Sequence, residues 1–252
     1  MVKNKILGII QARVSSKRLP GKVLINISGR TVLEHVFNRT SASSHLDEVV
    51  IATSTDSSDD LIEDLCAKNK IPCFRGDLED VLARYYRCAL HFKATHIMRI
   101  TADCPMIDPA IIDAVTIAGV SEHYDCYGIS GSFPDGLDCT LLSLNALEVA
   151  FKKAQLPSER EHVTPYIEKN HERFKCGSLE MFQNLGTKRW TLDQNEDLEF
   201  IKNVYSQLYD SKKPFTTLDV LEYLEQNPEI ELINSGIIRN EGYLKSLEKE
   251  ES

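Results

Sequence analysis

Four cations and no acid fall between Gln11 and Lys22 in this chain: Arg13, Lys17, Arg18 and Lys22, interleaved with Ala12, Ser15, Ser16 and Gly21. The protein as a whole carries a formal net charge of −9, so this positive charge is local. Arginine meets phosphate oxygens bidentately and lysine meets them as a point charge. Small residues let backbone amides approach the same oxygens, and Gly21 beside Pro20 fits a tight turn. The stretch follows directly on the apolar run Ile6 to Ile10. A buried strand opening into such a loop is how α/β proteins hold polyphosphates at the carboxyl edge of a sheet. That placement favours a triphosphate loop over a solvated surface loop. The spacing matches neither a Walker loop nor a dinucleotide fingerprint.

Asp103 and Asp193 close two later strand-like segments, His96 to Ile100 and Arg189 to Leu192. Two carboxylates on one sheet edge can share a magnesium ion, which takes few protein ligands alongside phosphate oxygens. Either aspartate alone reads better as a loop cap. The remaining polar groups are more ambiguous. Arg75, Gly76 and Asp77, with Glu79 and Asp80, open a helix whose dipole favours acids. Asp135 and Asp138 flank Gly136 in a turn, and Arg160, Glu161 and His162 lie near a helix start.

The elements that must position these residues alternate. Apolar, β-branched runs at 5–10, 48–53, 71–74 and 96–100 read as buried parallel strands. Between them, helical spacing appears over 31–40, 57–69 and 79–92, the last with Val81, Leu82, Tyr85, Cys88 and Ala89 as its inner stripe. Such a run predicts an α/β doubly wound sheet. Further on, 124–128 and 137–142 read as strands around a turn. Ser158 with Glu161 has the form of a capping box, with Thr164 as an alternative cap before Pro165. Residues 189–193 read as a last strand, 195–208 as a helix, and the chain from 217 as helical. One domain over 1–245 is expected, with a protruding hairpin near 124–142 and a frayed tail at 246–252.

An acidic chain argues against a nonspecific nucleic-acid binder. No apolar run approaches the roughly 18 residues of a membrane span. Met1 to Asn4 leads straight into a strand, leaving no room for a signal peptide. Seven cysteines without a C-x-x-C pair suggest reduced thiols in a cytoplasmic protein, most of them small core residues.

The stretch Gln11 to Lys22 closely resembles the signature loop of cytidylyltransferases that activate acidic sugars, among them the 3-deoxy-manno-octulosonate and acylneuraminate enzymes. The nearest branch is spore coat polysaccharide biosynthesis protein F. The likeness continues through Gly76–Leu82, Arg99–Pro105, Pro134–Asp138, Glu159–Tyr166, Thr191–Asp193 and Arg239–Tyr243, so it covers nearly the whole chain. It implies a Rossmann-like nucleotide-diphospho-sugar transferase fold, with a central mixed, mostly parallel sheet flanked by helices. It implies transfer of CMP from CTP to a hydroxyl of a sugar acid, with release of pyrophosphate and dependence on Mg2+. Arg13 and Lys22 match triphosphate ligands, with Ala12, Ser15, Ser16, Arg18 and Gly21 lining the loop. Asp103 and Asp193 match magnesium aspartates. Arg75, Gly76 and Asp80 fall where the family holds the base, and Arg99, Asp135, Asp138, Arg160 and His162 fall on the acceptor side. A homodimer is expected by the same likeness, with neither nucleic acid nor membrane as partner. Two positions depart from it: Gln11 stands where sugar-acid enzymes commonly have proline, and Ala102 where this branch often has glycine.

Three other readings compete. Sugar-1-phosphate nucleotidyltransferases use a loop richer in glycine. Glycosyltransferases on this type of sheet carry Asp-x-Asp, which the chain lacks. A silent nucleotide-binding homologue would not need both aspartates together with the basic loop.

Overall fold

The computed structural model describes residues 4–16, 18–237, 239, 246 and 250. Lys17 of the basic loop, most of Arg239–Tyr243 and most of the expected frayed tail lie outside these residues.

The first strand, β1 (Ile6–Gln11), is almost wholly buried on both faces, as a parallel strand in mid-sheet must be. A small ribbon follows, β2 (Asn26–Ile27) and β3 (Arg30–Thr31). Helix α1 (Val32–Ser41) is opened by a capping box between Thr31 and Glu34. Then come β4 (Glu48–Ser54), α2 (Asp60–Asn69), β5 (Cys73–Gly76), α3 (Val81–His91) and β6 (His96–Thr101). Asp80 caps α3 by accepting from the Ala83 N–H. The register pairs β1 in parallel with β4 on one side and with β6 on the other. The chain therefore winds outward from β1 to β5 and returns across β1. The carboxyl end of β1 is the switch point at which open α/β sheets bind their ligands.

Beyond β6 lie α4 (Pro109–Ser121), β7 (Cys126–Ile129), β8 (Cys139–Ser143), α5 (Leu144–Lys153), α6 (Pro157–His162), α7 (Pro165–Lys169) and β9 (Cys176–Leu179). Helices α8 (Asn195–Leu208), α9 (Thr217–Gln226) and α10 (Pro228–Leu232) follow. The sheet has seven strands in the order β5-β4-β1-β6-β8-β7-β9. Only β8 is antiparallel to its neighbours, β6 and β7. Alternation sends Leu7 and Ile9 into a core with α3 and α5, and Ile6 and Ile10 into a second core with α1, α4 and α8. Among the described residues no helix is long and apolar enough to cross a membrane.

Three sequence expectations are corrected. The segment 124–142 does not protrude: its strands are β7 and β8, inserted in the sheet because Cys126, Cys139, Leu141 and Leu142 are buried there. Residues 189–193 form no strand; Arg189 makes a single bridge with Asp135. The segment runs across the sheet edge, bonded to loops, with Trp190 N–H on the Asp135 carbonyl at 2.7 Å and Leu192 N–H on that of Asp103 at 2.8 Å. Ser158 is inside α6, not its cap. Pro157 presets the first helical position, and Glu159 reaches back to the N–H groups of Gln155 and Leu156. Pro165 begins α7 with Thr164 as cap. Sequence reading passed over α4, although Asp108 before Pro109 is a strong start signal and the Asp108 side chain does cap the helix.

Candidate active site

The basic loop folds around the Val14 carbonyl, which accepts from the N–H groups of Ser16 (2.8 Å) and Gly21 (3.1 Å). Its base is pinned by Asp59, fully buried, which accepts from the Val14 N–H at 2.7 Å and from Ser54. Gly21 takes φ +69°, a left-handed conformation costly for other residues, and turns the chain into a 3-10 turn that starts at Lys22.

That turn drives the Lys22 side chain inward, leaving the residue 9% exposed. Its Nζ donates to Asp103 Oδ2 (2.7 Å), Asp193 Oδ1 (2.7 Å) and the Leu192 carbonyl (2.9 Å). The two aspartates predicted to converge thus flank a single point, on the same edge as the loop. Burial works against the Lys22 ammonium, but both carboxylates outweigh it and hold its pKa above the ordinary lysine value. Burial likewise works against ionised Asp103, yet Lys22 brings that carboxyl down to about 2. Both groups are charged at neutral pH, and the pair is an ion pair in a sheltered cleft.

Asp193 receives two further cations, Arg18 at 2.8 Å and Arg189 at 3.5 Å. Arg189 is held by a buried bidentate pair with Asp197 (2.8 and 2.9 Å) and also reaches Asp135 at 3.2 Å. Asp197 accepts in addition from the N–H groups of Asp193 and Gln194, which fixes the start of α8. Asp135 has its pKa pushed up to about 6, by burial first and then by Asp138. Asp138 accepts from the Gly136 N–H and serves the turn.

The other expected site residues divide. Arg13 approaches Glu161 of α6 at 3.7 Å. Arg99 is on β6 with its Nε buried and without a hydrogen-bond partner among the described residues. His162 sits near both Arg13 and Arg99, and burial lowers its pKa; its Nε2 contacts Ser246 at 3.2 Å. Arg160 is engaged with Asp80 and with the Phe151 carbonyl, so these two residues tie α6 to α3. Arg75 is held by partners outside the loop. Its guanidinium bonds the Ser54 and Asp56 carbonyls, Asp60 and Glu63. Gly76 instead makes room for Arg84, whose Cγ would lie 3.1 Å from a Cβ added there.

Arg84, Asp59, Arg189 and Asp197 are the polar residues that sequence reading left out. Arg84 is fully buried and none of its guanidinium nitrogens has a hydrogen-bond partner among the described residues. The signal for it was present: it falls three residues after Val81 and four before Cys88, on the inner stripe of α3. Asp197, three residues after Gln194, marks the opening of α8.

Asp103 and Asp193 supply the hard oxygen donors a divalent cation takes. Among the described residues no cluster of three or more histidines, cysteines or acids could hold a metal. The donor set therefore fits a cation that brings other oxygens with it, as a metal–triphosphate complex does.

A family profile described as cytidylyltransferase matches residues 7–231. The chain is 32% identical to spore coat polysaccharide biosynthesis protein SpsF of Bacillus subtilis, over 90% of this chain and 96% of that one. It is 30% identical to 3-deoxy-manno-octulosonate cytidylyltransferase of Solibacter usitatus, over 92% and 83% respectively. A solved cytidylyltransferase structure from Leptospira borgpetersenii superposes with a TM-score of 0.87 at 32% identity, covering 94% of this chain and all of that one.

Proposed function

The chain belongs to the cytidylyltransferase family, and from that membership we propose that it transfers CMP from CTP to a hydroxyl of an acidic sugar, a 2-keto acid of the nonulosonic or octulosonic type, with release of pyrophosphate. The observation that carries the reading is the meeting of Lys22, Asp103 and Asp193 at one point beside the basic loop. Substitution at an α-phosphate needs charge neutralised on the phosphate and on the departing pyrophosphate. Arg13, Arg18 and Lys22 supply that neutralisation, with the loop amides beside them. Asp103 and Asp193 would hold Mg2+, which when bound supplies Lewis-acid charge at the phosphate oxygens. Catalysis on this reading is positioning and electrostatics.

Arg99 and His162 support an acid acceptor. A buried guanidinium nitrogen without a partner among the described residues is a donor waiting for an anion, and a carboxylate supplies one. Arg160, spent on Asp80, is better read as a tie between helices than as an acceptor ligand. We place the enzyme in the cytoplasm, in surface polysaccharide biosynthesis, as a single-domain homodimer; the seven unbridged cysteines accord with that compartment.

The test is pyrophosphate release from CTP with a panel of sialic-, legionaminic-, pseudaminic- and octulosonic-type acids. At least one acid should give turnover with CTP well above UTP, ATP and GTP. Turnover with a sugar phosphate and none of the acids would overturn the acceptor class. Light scattering in solution checks the dimer.

A further inference from the structure

We propose that Lys22 keeps the place of the divalent cation and yields it only to a triphosphate, so that the nucleotide-free protein binds the metal poorly and nucleotide and metal bind cooperatively. This rests on the reading of the basic loop as the CTP site.

An ammonium group has three hydrogens, and all three of Lys22 are spent, two of them on the carboxylates that would hold the metal. The third, on the Leu192 carbonyl, lies on the chain segment that carries Asp193. The ammonium sits 2.7 Å from one oxygen of each aspartate. A magnesium ion needs those oxygens at roughly 2.0–2.1 Å, so ammonium and metal compete for the same point. Asp193 is also contacted by Arg18 and Arg189, and a dication entering this arrangement would meet three positive groups around two carboxylates.

A triphosphate changes the balance. It brings several negative charges to the loop that holds Arg13 and Arg18, and gives Lys22 oxygens to exchange for those of Asp103 and Asp193. The same phosphate oxygens complete a metal shell that two carboxylates cannot fill alone. The lysine stands next to Gly21, where no atom of the described residues lies within 4 Å of an added Cβ. Coupling of this kind is reciprocal: whatever factor the nucleotide adds to metal affinity, the metal adds to nucleotide affinity.

The experiment is Mn2+ binding, read by the electron paramagnetic resonance signal of free Mn2+, to nucleotide-free wild type, Lys22→Met and Lys22→Arg. Lys22→Met should bind Mn2+ at least tenfold more tightly than wild type, and Lys22→Arg, which keeps a cation, should not. In wild type, cytidine 5′-(α,β-methylene)triphosphate should raise protein-bound Mn2+ beyond what the nucleotide binds by itself. Unchanged or weaker Mn2+ binding by folded Lys22→Met overturns the proposal. So does wild type that binds Mn2+ as tightly without the analogue as with it, a readout that needs no variant. Failure of the analogue to bind wild type, with Mn2+ present, would instead bring down the CTP reading itself, while the nucleotide-free arms still decide the role of Lys22.

Discussion

Leu192 donates its backbone N–H to the carbonyl of Asp103 at 2.8 Å, and Thr191 Oγ1 donates to the same oxygen at 3.3 Å. Two loops far apart in the chain are thereby joined one residue before Asp193. The separation of the two carboxylates is set by backbone as much as by Lys22.

Asp103→Asn keeps the shape of that junction and removes a charge. Cytidylyl transfer should fall by at least about 100-fold, the scale seen when one electrostatic contact to a transition state is lost. Pyrophosphate release at saturating CTP and acceptor measures it, and near-normal turnover would remove Asp103 from the site.

Arg84→Met replaces a fully buried guanidinium that has no hydrogen-bond partner among the described residues. An unsatisfied buried donor costs on the order of 1–3 kcal/mol, more when charged. The nucleotide-free variant should therefore unfold at higher temperature than wild type. A lower melting temperature would mean that the guanidinium has partners in solution.

Gly136→Ala should be poorly tolerated. Gly136 takes φ +107°, and an added Cβ would lie 2.5 Å from the Trp190 carbonyl carbon and 2.5 Å from the Thr191 nitrogen. Relief requires the segment leading to Asp193 to move. A stability loss of roughly 2–3 kcal/mol should accompany a drop in turnover, compared by thermal melting and initial rates.

Asp135 gives a pH signature. Its pKa, pushed up to about 6 by burial and by Asp138, means that the folded protein keeps a proton the unfolded chain, at its ordinary 3.8, has released. Its contribution to stability is therefore fully present below about pH 4 and is lost as the pH rises to about 6, by up to about 3 kcal/mol. Denaturant midpoints for wild type and Asp135→Asn across pH 4–7 test this: the variant should show the shallower loss.

What the sequence revealed tracks how local the physics is. Ile6 to Ile10 and the stripe of Val81, Leu82, Tyr85 and Cys88 announce a strand and a helix through neighbours alone. The basic loop is equally readable, because Arg13 to Lys22 is contiguous. The placing of Asp193 at a strand end rests on the strand-like composition of Arg189 to Leu192, but what holds that segment includes Asp135 and Asp103, partners that no window around residue 190 contains. The surroundings of Arg75 are equally non-local. Its ion pairs with Asp60 and Glu63 of α2 depend on tertiary packing, which also brings Arg84 behind Gly76.

The central position of β1 has a consequence for synthesis of the protein. β1 is made before both of the strands it pairs with, β4 and β6, so one edge stays bare until residue 54 has been made and the other until residue 101. A nascent chain that stalls earlier presents an apolar strand with an open hydrogen-bonding edge, the form most prone to misassociation. Asp193, made some ninety residues after Asp103, completes the cleft, so the basic loop is made before either carboxylate that it meets.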